Sequence, residues 1–247
     1  MIIDVHSHLG EWDVVFDEAI SEKDLVDSYN NNNVDIGIVQ PLIVNPTESE
    51  QKKIHNEVHV LTKKHYPRFY GMASLNPHTN PDFYYSEVSR CVKELGFKGL
   101  KISPIAHSVN PLSRDGRLAF EAAKNFNIPL MIHTGAGIPF ALPSLILPMA
   151  KEYPDVFVVI AHSGSNICAA EAIIVAKECE NVFLDTSWIA PHICKHFIKV
   201  LGSERLMFAS DMYDNQIVEI AKWQSLKLSD NDYEWIFNKT ARQVYNI

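Results

Sequence analysis

Met1-Ile2-Ile3-Asp4-Val5-His6-Ser7-His8 opens the chain, and what stands at the end of this run decides between the folds that the rest allows. A short apolar run of this kind reads as a strand buried on both faces of a parallel sheet. In a doubly wound open sheet such a strand usually runs into a glycine-rich phosphate turn; here His6-Ser7-His8 occupies that place. Seven further apolar runs follow at residues 34–39, 69–75, 97–102, 129–132, 156–161, 182–185 and 205–209. Segments of helical periodicity fill the gaps, at 50–66, 82–95, 118–125, 144–153, 169–179 and 191–201, and 214–226 and 230–245 close the chain. Ser21-Glu22-Lys23-Asp24 reads as a capping box opening a helix that ends in the asparagines 30–33. Strand alternating with helix eight times predicts an α/β fold, a parallel (β/α)₈ TIM barrel in one domain over residues 1–247.

Composition narrows the partners. Hydrophobic residues make up 47% of the 247, enough for one large core. A net charge of −8 gives no broad attraction to phosphate backbones or anionic lipid, so neither nucleic acid nor membrane is expected as a partner. The four cysteines form no Cys-x-x-Cys pair, the N-terminus lacks the features of a signal peptide, and no apolar stretch approaches membrane-helix length. A cytoplasmic enzyme acting on a small molecule is the expectation.

The residues that carry chemistry fall at strand ends. His6 and His8 end the first strand, His133 the fifth and His162 the sixth, and Asp211 lies just past the eighth. In a barrel these ends share one rim, which carries the active site. Alternation on the first strand puts Asp4, His6 and His8 on one face and Ile3 and Val5 on the other, so the histidines are expected to face the mouth and the apolar pair the helices. Two imidazoles two residues apart can chelate one ion. A His-x-His pair alone is weak evidence; the three further rim residues make a metal site the reading. By the same alternation Lys101 points inward, to bind an anionic substrate group or, carbamylated, to bridge two metals; the bland reading is a lysine reaching from the strand end into solvent.

Other residues receive plainer readings. His55, His59 and His65 are expected on the solvent face of one helix, and His192 and His196 lack the glutamate of a metalloprotease motif. His78 and His107 follow strands three and four near the mouth. Trp12, Phe16, Phe140, Trp188 and Tyr213 are candidates for an apolar wall, beside which Glu11 and Asp13 disfavour a strongly anionic ligand.

Ile3-Asp4-Val5-His6-Ser7-His8, Ser74-Leu75-Asn76-Pro77, Gly96-Phe97-Lys98-Gly99-Leu100-Lys101 and Pro129-Leu130-Met131-Ile132-His133 form an ordered series of motifs. Val159-Ile160-Ala161-His162-Ser163-Gly164, Asn181-Val182-Phe183-Leu184-Asp185-Thr186-Ser187 and Phe208-Ala209-Ser210-Asp211 continue it. The series resembles the amidohydrolase superfamily, and within it the amidohydrolase-2 group that includes aminocarboxymuconate-semialdehyde decarboxylase-like proteins. The resemblance implies that His6, His8, His133 and Asp211 ligate one divalent ion, typically zinc, with His162 beside them polarising water or substrate. It also makes a homodimer an open expectation, since relatives are often dimers. Asp211 is followed by Met212-Tyr213-Asp214, where many relatives carry an aromatic residue and proline, so the rim beside the ligand departs from the pattern. TatD-type metal-dependent deoxyribonucleases share the His-x-His start but place a glutamate on a middle strand; strand four here offers only Lys98 and Lys101.

The leading expectation is metal-assisted hydrolysis of a small amide, ester or lactone. Asp211 would take the proton of the activated water and pass it to the leaving group, while His162 hydrogen-bonds the oxyanion. The alternative is non-oxidative decarboxylation of an unsaturated or aromatic carboxylate, steadied by Lys101 or by Arg114 or Arg117. A nuclease and a barrel that only binds a ligand are the lesser readings. Carbamylation of Lys101 would make the site binuclear and turn His162 into a ligand.

Overall fold

A strand buried on both faces needs helices outside it, and the chain supplies one after almost every strand. The computed structural model describes residues 1–12 and 18–247; Asp13 and Phe16 lie outside the described residues, as does the side chain of Trp12. Among the described residues there are ten strands: β1 (Ile3–Trp12), β2 (Glu18–Ile20), β3 (Ile36–Leu42), β4 (Phe69–Gly71), β5 (Ala73–Ser74), β6 (Leu100–Ile102), β7 (Leu130–His133), β8 (Val158–Ala161), β9 (Val182–Asp185) and β10 (Leu206–Met207). β4 and β5 are two halves of one run interrupted at Met72. β2 is a short antiparallel return that pairs with the far end of β1; three residues with no apolar alternation left no trace of it in the pattern. The other strands pair in parallel as β1-β3-β4 and β5-β6-β7-β8-β9-β10. Met72 N–H donates to Val39 O and Ala73 N–H to Gly99 O, joining the two sheets across the interruption. Val5 N–H donates to Phe208 O at 3.2 Å and Asp211 N–H to His6 O at 2.8 Å, which closes the ring. The eight-stranded TIM barrel is the fold. Among the described residues no helix is long and apolar enough to cross a membrane.

Alternation holds on the later strands. Leu130 and Ile132 of β7 pack in the helix layer while Met131 faces the barrel axis with Val159, Phe183 and Met207. β1 departs from it. Ile3 and Val5 belong to the axial cluster, not to the helix layer, and Asp4 points outward, where it accepts from the Ser210 amide and hydroxyl and from Gln216 Nε2. The β1–β3 register shifts between Asp4 and Ser7. This bulge re-phases the strand so that His6 and His8 face the mouth although Val5 also faces inward. The histidines reach the expected place by a different route from simple alternation.

The capping box expected at Ser21 and Asp24 is present on the helix Glu22–Asn31, and a second one, Thr47 with Glu50, opens the helix Glu48–Lys64. Asn33 closes the asparagine run in the left-handed region, φ 55°.

His55 corrects the sequence reading. It is fully buried, not on a solvent face. Ile54, Val58 and Leu61 mark the buried face of its helix, and His55 sits among them at helical spacing. Its Nδ1 donates to Glu87 Oε1 (2.8 Å) and its Nε2 accepts from the Ser74 amide (3.2 Å), tying the end of β5 to two helices. Arg90 grips both oxygens of Glu87. Burial pushes the Glu87 carboxyl up, but the bonds from Arg90 and His55 outweigh it and hold it at about 2, below its ordinary 4.5. A depressed carboxyl stabilises the fold above its unfolded value, and that contribution is lost as pH falls from about 4.5 toward about 2. At ~1.4 kcal/mol per unit, its size is on the order of 3 kcal/mol. Thermal unfolding at pH 7 and pH 3 should therefore show a larger drop in wild type than in Glu87→Gln; equal drops would contradict this assignment.

Candidate metal centre

Three donor atoms form a tight triangle at the mouth. His6 Nε2 lies 3.1 Å from His8 Nε2, and Asp211 Oδ1 lies 3.1 and 3.2 Å from the two. The far nitrogens decide the protonation. His6 Nδ1 donates to Asp185 Oδ2 (2.6 Å) and His8 Nδ1 to the Pro41 carbonyl (3.2 Å), both of which only accept. In the neutral tautomer each ring turns its Nε2 lone pair toward the other and toward a carboxylate oxygen. Such a cluster attracts positive charge, which the Lys101 ammonium 3.1 Å from His6 Nε2 supplies only in part. A cation bonded at ~2.0–2.2 Å with angles of roughly 90–110° has its donors about 2.8–3.6 Å apart. The donor chemistry and spacing fit a divalent ion.

His133 and His162 extend the cluster. His133 Nε2 donates to Ala136 O at 2.8 Å. Ser187 Oγ donates to Asp185 Oδ1, so it accepts from His162 Nδ1 at 2.8 Å. His162 Nε2 and His133 Nδ1 are left facing each other, lone pair to lone pair, at 3.1 Å. One donor atom each from His6, His162 and Asp211 falls within a 4.8 Å group, and the His6 and His162 rings stack at 4.9 Å. His162 thus stands closer to the donor triangle than its expected place beside the site, and His133 meets the triangle through His162.

Asp185 is the functional residue that the sequence reading did not single out. Its signal was present: it ends an unbroken run on strand seven, in step with the inward Phe183. One carboxylate orients His6 directly and His162 through Ser187, the outer support that metal-bound imidazoles typically need. Electrostatics agree with a cation site. Burial, reinforced by Lys101, pushes His6 down to about 3. Burial pushes Asp211 up, but His6 and His162 outweigh it and keep its carboxyl well below the usual range. Trp188, Asp211, His162 and Ser163 all have left-handed backbone, φ 62°, 69°, 58° and 45°. Strain of this kind in non-glycine residues persists only where surroundings enforce it, and it gathers at functional sites.

Lys101 points inward as expected. It is 3% exposed, its Nζ lies 3.1 Å from His6 Nε2, and it does not reach solvent. Burial lowers its ammonium to about 8 against the opposing pull of Asp211 and Asp185. Arg114 is a correction: it begins the helix Arg114–Phe126, its side chain is 90% exposed, and it pairs with Asp115 away from the mouth. Arg117 pairs with Glu152 and Tyr153. Neither arginine lines the cavity of about 740 Å³ above the triangle. Its floor is His6, His8, Lys101, His162 and Asp211, and Pro41, Leu42, Ile43, Val44, Ile105 and Met212 give it an apolar wall. Of the aromatic candidates Trp188 lines it, whereas Phe140 and Tyr213 do not. His78 is surface-paired with Asp115, and His107 is buried with its Nδ1 accepting from the Ser103 amide.

The amidohydrolase family model matches residues 3–247. The chain belongs to the amidohydrolase family. Gamma-resorcylate decarboxylase of Rhodococcus jostii is 24% identical over 236 residues, covering 73% of this chain and 71% of that relative. Among solved structures, a 5-carboxyvanillate decarboxylase from Novosphingobium aromaticivorans, complexed with manganese and 4-hydroxy-3-methoxy-5-nitrobenzoic acid, superposes with a TM-score of 0.80 at 15% identity. That match covers 100% of this chain and 96% of the other. A dihydroxybenzoic acid decarboxylase from a Polaromonas species, with bound manganese and 2-nitroresorcinol, gives 0.79 at 17% identity over 99% and 96% of the two chains. This amidohydrolase is an enzyme of its superfamily. These three relatives are decarboxylases, which overturns the leading expectation of amide, ester or lactone hydrolysis.

Proposed function

We propose that this amidohydrolase-family chain is a divalent-metal-dependent, non-oxidative decarboxylase of a small aromatic or unsaturated carboxylate. The observation that carries the reading is the juxtaposition of a buried ammonium, Lys101, with the donor triangle at the foot of an apolar-walled cavity. His6, His8 and Asp211 would hold the ion, with His133 and His162 on the same rim. Manganese is the first choice from the relatives' complexes and zinc the second, since imidazole and carboxylate donors serve both. When bound, the cation supplies positive charge that holds the substrate's carboxylate side.

The chain's own residues do the rest. Lys101 places an ammonium against the carboxylate, where low surrounding polarity strengthens the contact. The wall from Pro41 to Val44, with Ile105 and Met212, sheds water from the substrate's flat face, which favours conversion of a charged carboxylate into neutral CO₂. A proton must replace CO₂ on carbon. It comes from solvent, and Asp211 and His162 are the rim groups that would take it up and pass it to the carbon.

The test is CO₂ release from a panel of hydroxybenzoates and unsaturated carboxylates by Mn²⁺-loaded and Zn²⁺-loaded protein. Release is expected from at least one aromatic member, lost to background after chelation and restored by Mn²⁺. No release from any member by protein shown to hold one metal per chain would sink the reading.

A further inference from the structure

The loops after β9 and β10 meet at a hydrogen bond with no role in the chemistry so far. The Trp188 indole Nε1 donates to Asp211 Oδ2 at 2.8 Å. Oδ1 is the oxygen that faces His6 and His8, so the indole takes the other one and sets the rotation of the carboxylate. Trp188 and Asp211 both stand in left-handed backbone, a conformation costing ~1–3 kcal/mol per residue unless its surroundings impose it.

A buried ion pair imposes it. Glu219 is 3% exposed. Its Oε1 accepts from the Trp188 backbone amide at 2.9 Å and from Asn215 Nδ2 at 3.4 Å. Asn215 Nδ2 also donates to the carbonyl of Ser210, the residue before Asp211, at 2.9 Å. Glu219 Oε2 pairs with Lys222, whose ammonium donates to the Thr186 carbonyl at 2.6 Å. One buried pair therefore grips residues 186 and 188 on one loop and, through Asn215, residue 210 on the other. A buried pair is a weak source of stability compared with an apolar contact; what this one provides is direction, since its bonds reach backbone groups of the two strained loops directly or through Asn215.

We propose that Trp188 is the positioning residue of Asp211, and that the Glu219–Lys222 pair is the latch that aims it. The indole keeps Oδ1 turned into the donor triangle, and the latch holds the backbone that carries the indole. The inference rests on the metal-site reading given above. It places the effect first on metal affinity, for which outer partners of ligands typically count for 10–100-fold.

Calorimetric titration of Mn²⁺ into metal-stripped protein tests it. Trp188→Phe keeps a ring and removes the N–H; it should bind Mn²⁺ about 10–100-fold more weakly than wild type, with the melting temperature of the stripped protein unchanged. Glu219→Gln should weaken Mn²⁺ binding in the same direction. That second effect should shrink when introduced into Trp188→Phe, because the branch from Glu219 through the indole is then gone and only the Asn215 branch to Ser210 is left. Affinity of Trp188→Phe within twofold of wild type overturns the proposal, and so does a Glu219→Gln effect that persists undiminished in the double variant. A wild-type chain that takes up no Mn²⁺ at all overturns the metal reading, and this inference with it.

Discussion

Asp211→Asn is expected to lose CO₂ release by about 10²–10⁴-fold, even at Mn²⁺ concentrations that refill the site. Asparagine keeps an oxygen for the ion but carries neither the negative charge that anchors the triangle nor a basic oxygen that can take up and pass a proton. Mn²⁺ affinity should fall as well, so activity must be compared at measured, equal occupancy. Stability should move the other way. In the stripped wild-type protein Asp211 Oδ1 faces two imidazole lone pairs at 3.1 and 3.2 Å, and an amide N–H in that position would donate to them. The stripped variant should therefore melt no lower than stripped wild type. Activity within tenfold of wild type at full occupancy would remove Asp211 from the proton path. A large drop in melting temperature would contradict the lone-pair account of the triangle.

Lys101→Met should lower kcat/KM by about 10²–10³-fold, mainly through KM, as removal of one partner from a desolvated charge pair usually costs roughly 2–5 kcal/mol. Mn²⁺ affinity should stay level or rise, because the ammonium that lies 3.1 Å from His6 Nε2 repels a second cation there. The pH profile separates this from a packing effect. Burial lowers the Lys101 ammonium to about 8, so the charged form is present below that value and carboxylate binding is lost as pH rises through it. A bound cation moves this limb lower, never higher. The alkaline rise in KM should be absent from Lys101→Met. A KM unchanged by the substitution would exclude Lys101 from substrate binding. One metal per chain in both proteins would dispose of a carbamate bridge, and two in wild type would establish it.

Much of the site was legible because its donors sit at strand ends. His6, His8, His133, His162 and Asp211 each follow an apolar run, and the shared rim of a barrel brings such positions together whatever the loops do. Their mutual order was less legible. His162 offers a donor atom in one 4.8 Å group with His6 and Asp211, where the family resemblance had set it beside the ligands. Arg114 illustrates the opposite error. A cation in the loop after strand four seemed available to a substrate, but Ser113 caps a helix there and Arg114 leaves outward on its first turn. His55 shows how a polar residue is misplaced when only apolar positions are used to draw a helix face.

The sequence by itself determined the barrel, the order of its strands and the set of residues at its mouth. These follow from local periodicity and from the distance between apolar runs, which a chain carries without folding. Only the tertiary structure decided how the mouth is wired. The bulge in β1 that turns His6 and His8 inward arises from pairing with β3. Asp185 meets His6 across 179 residues of chain, and Trp188 meets Asp211 across 23. Contacts of this kind are made by closing the ring, and no window of sequence contains both partners at their final geometry.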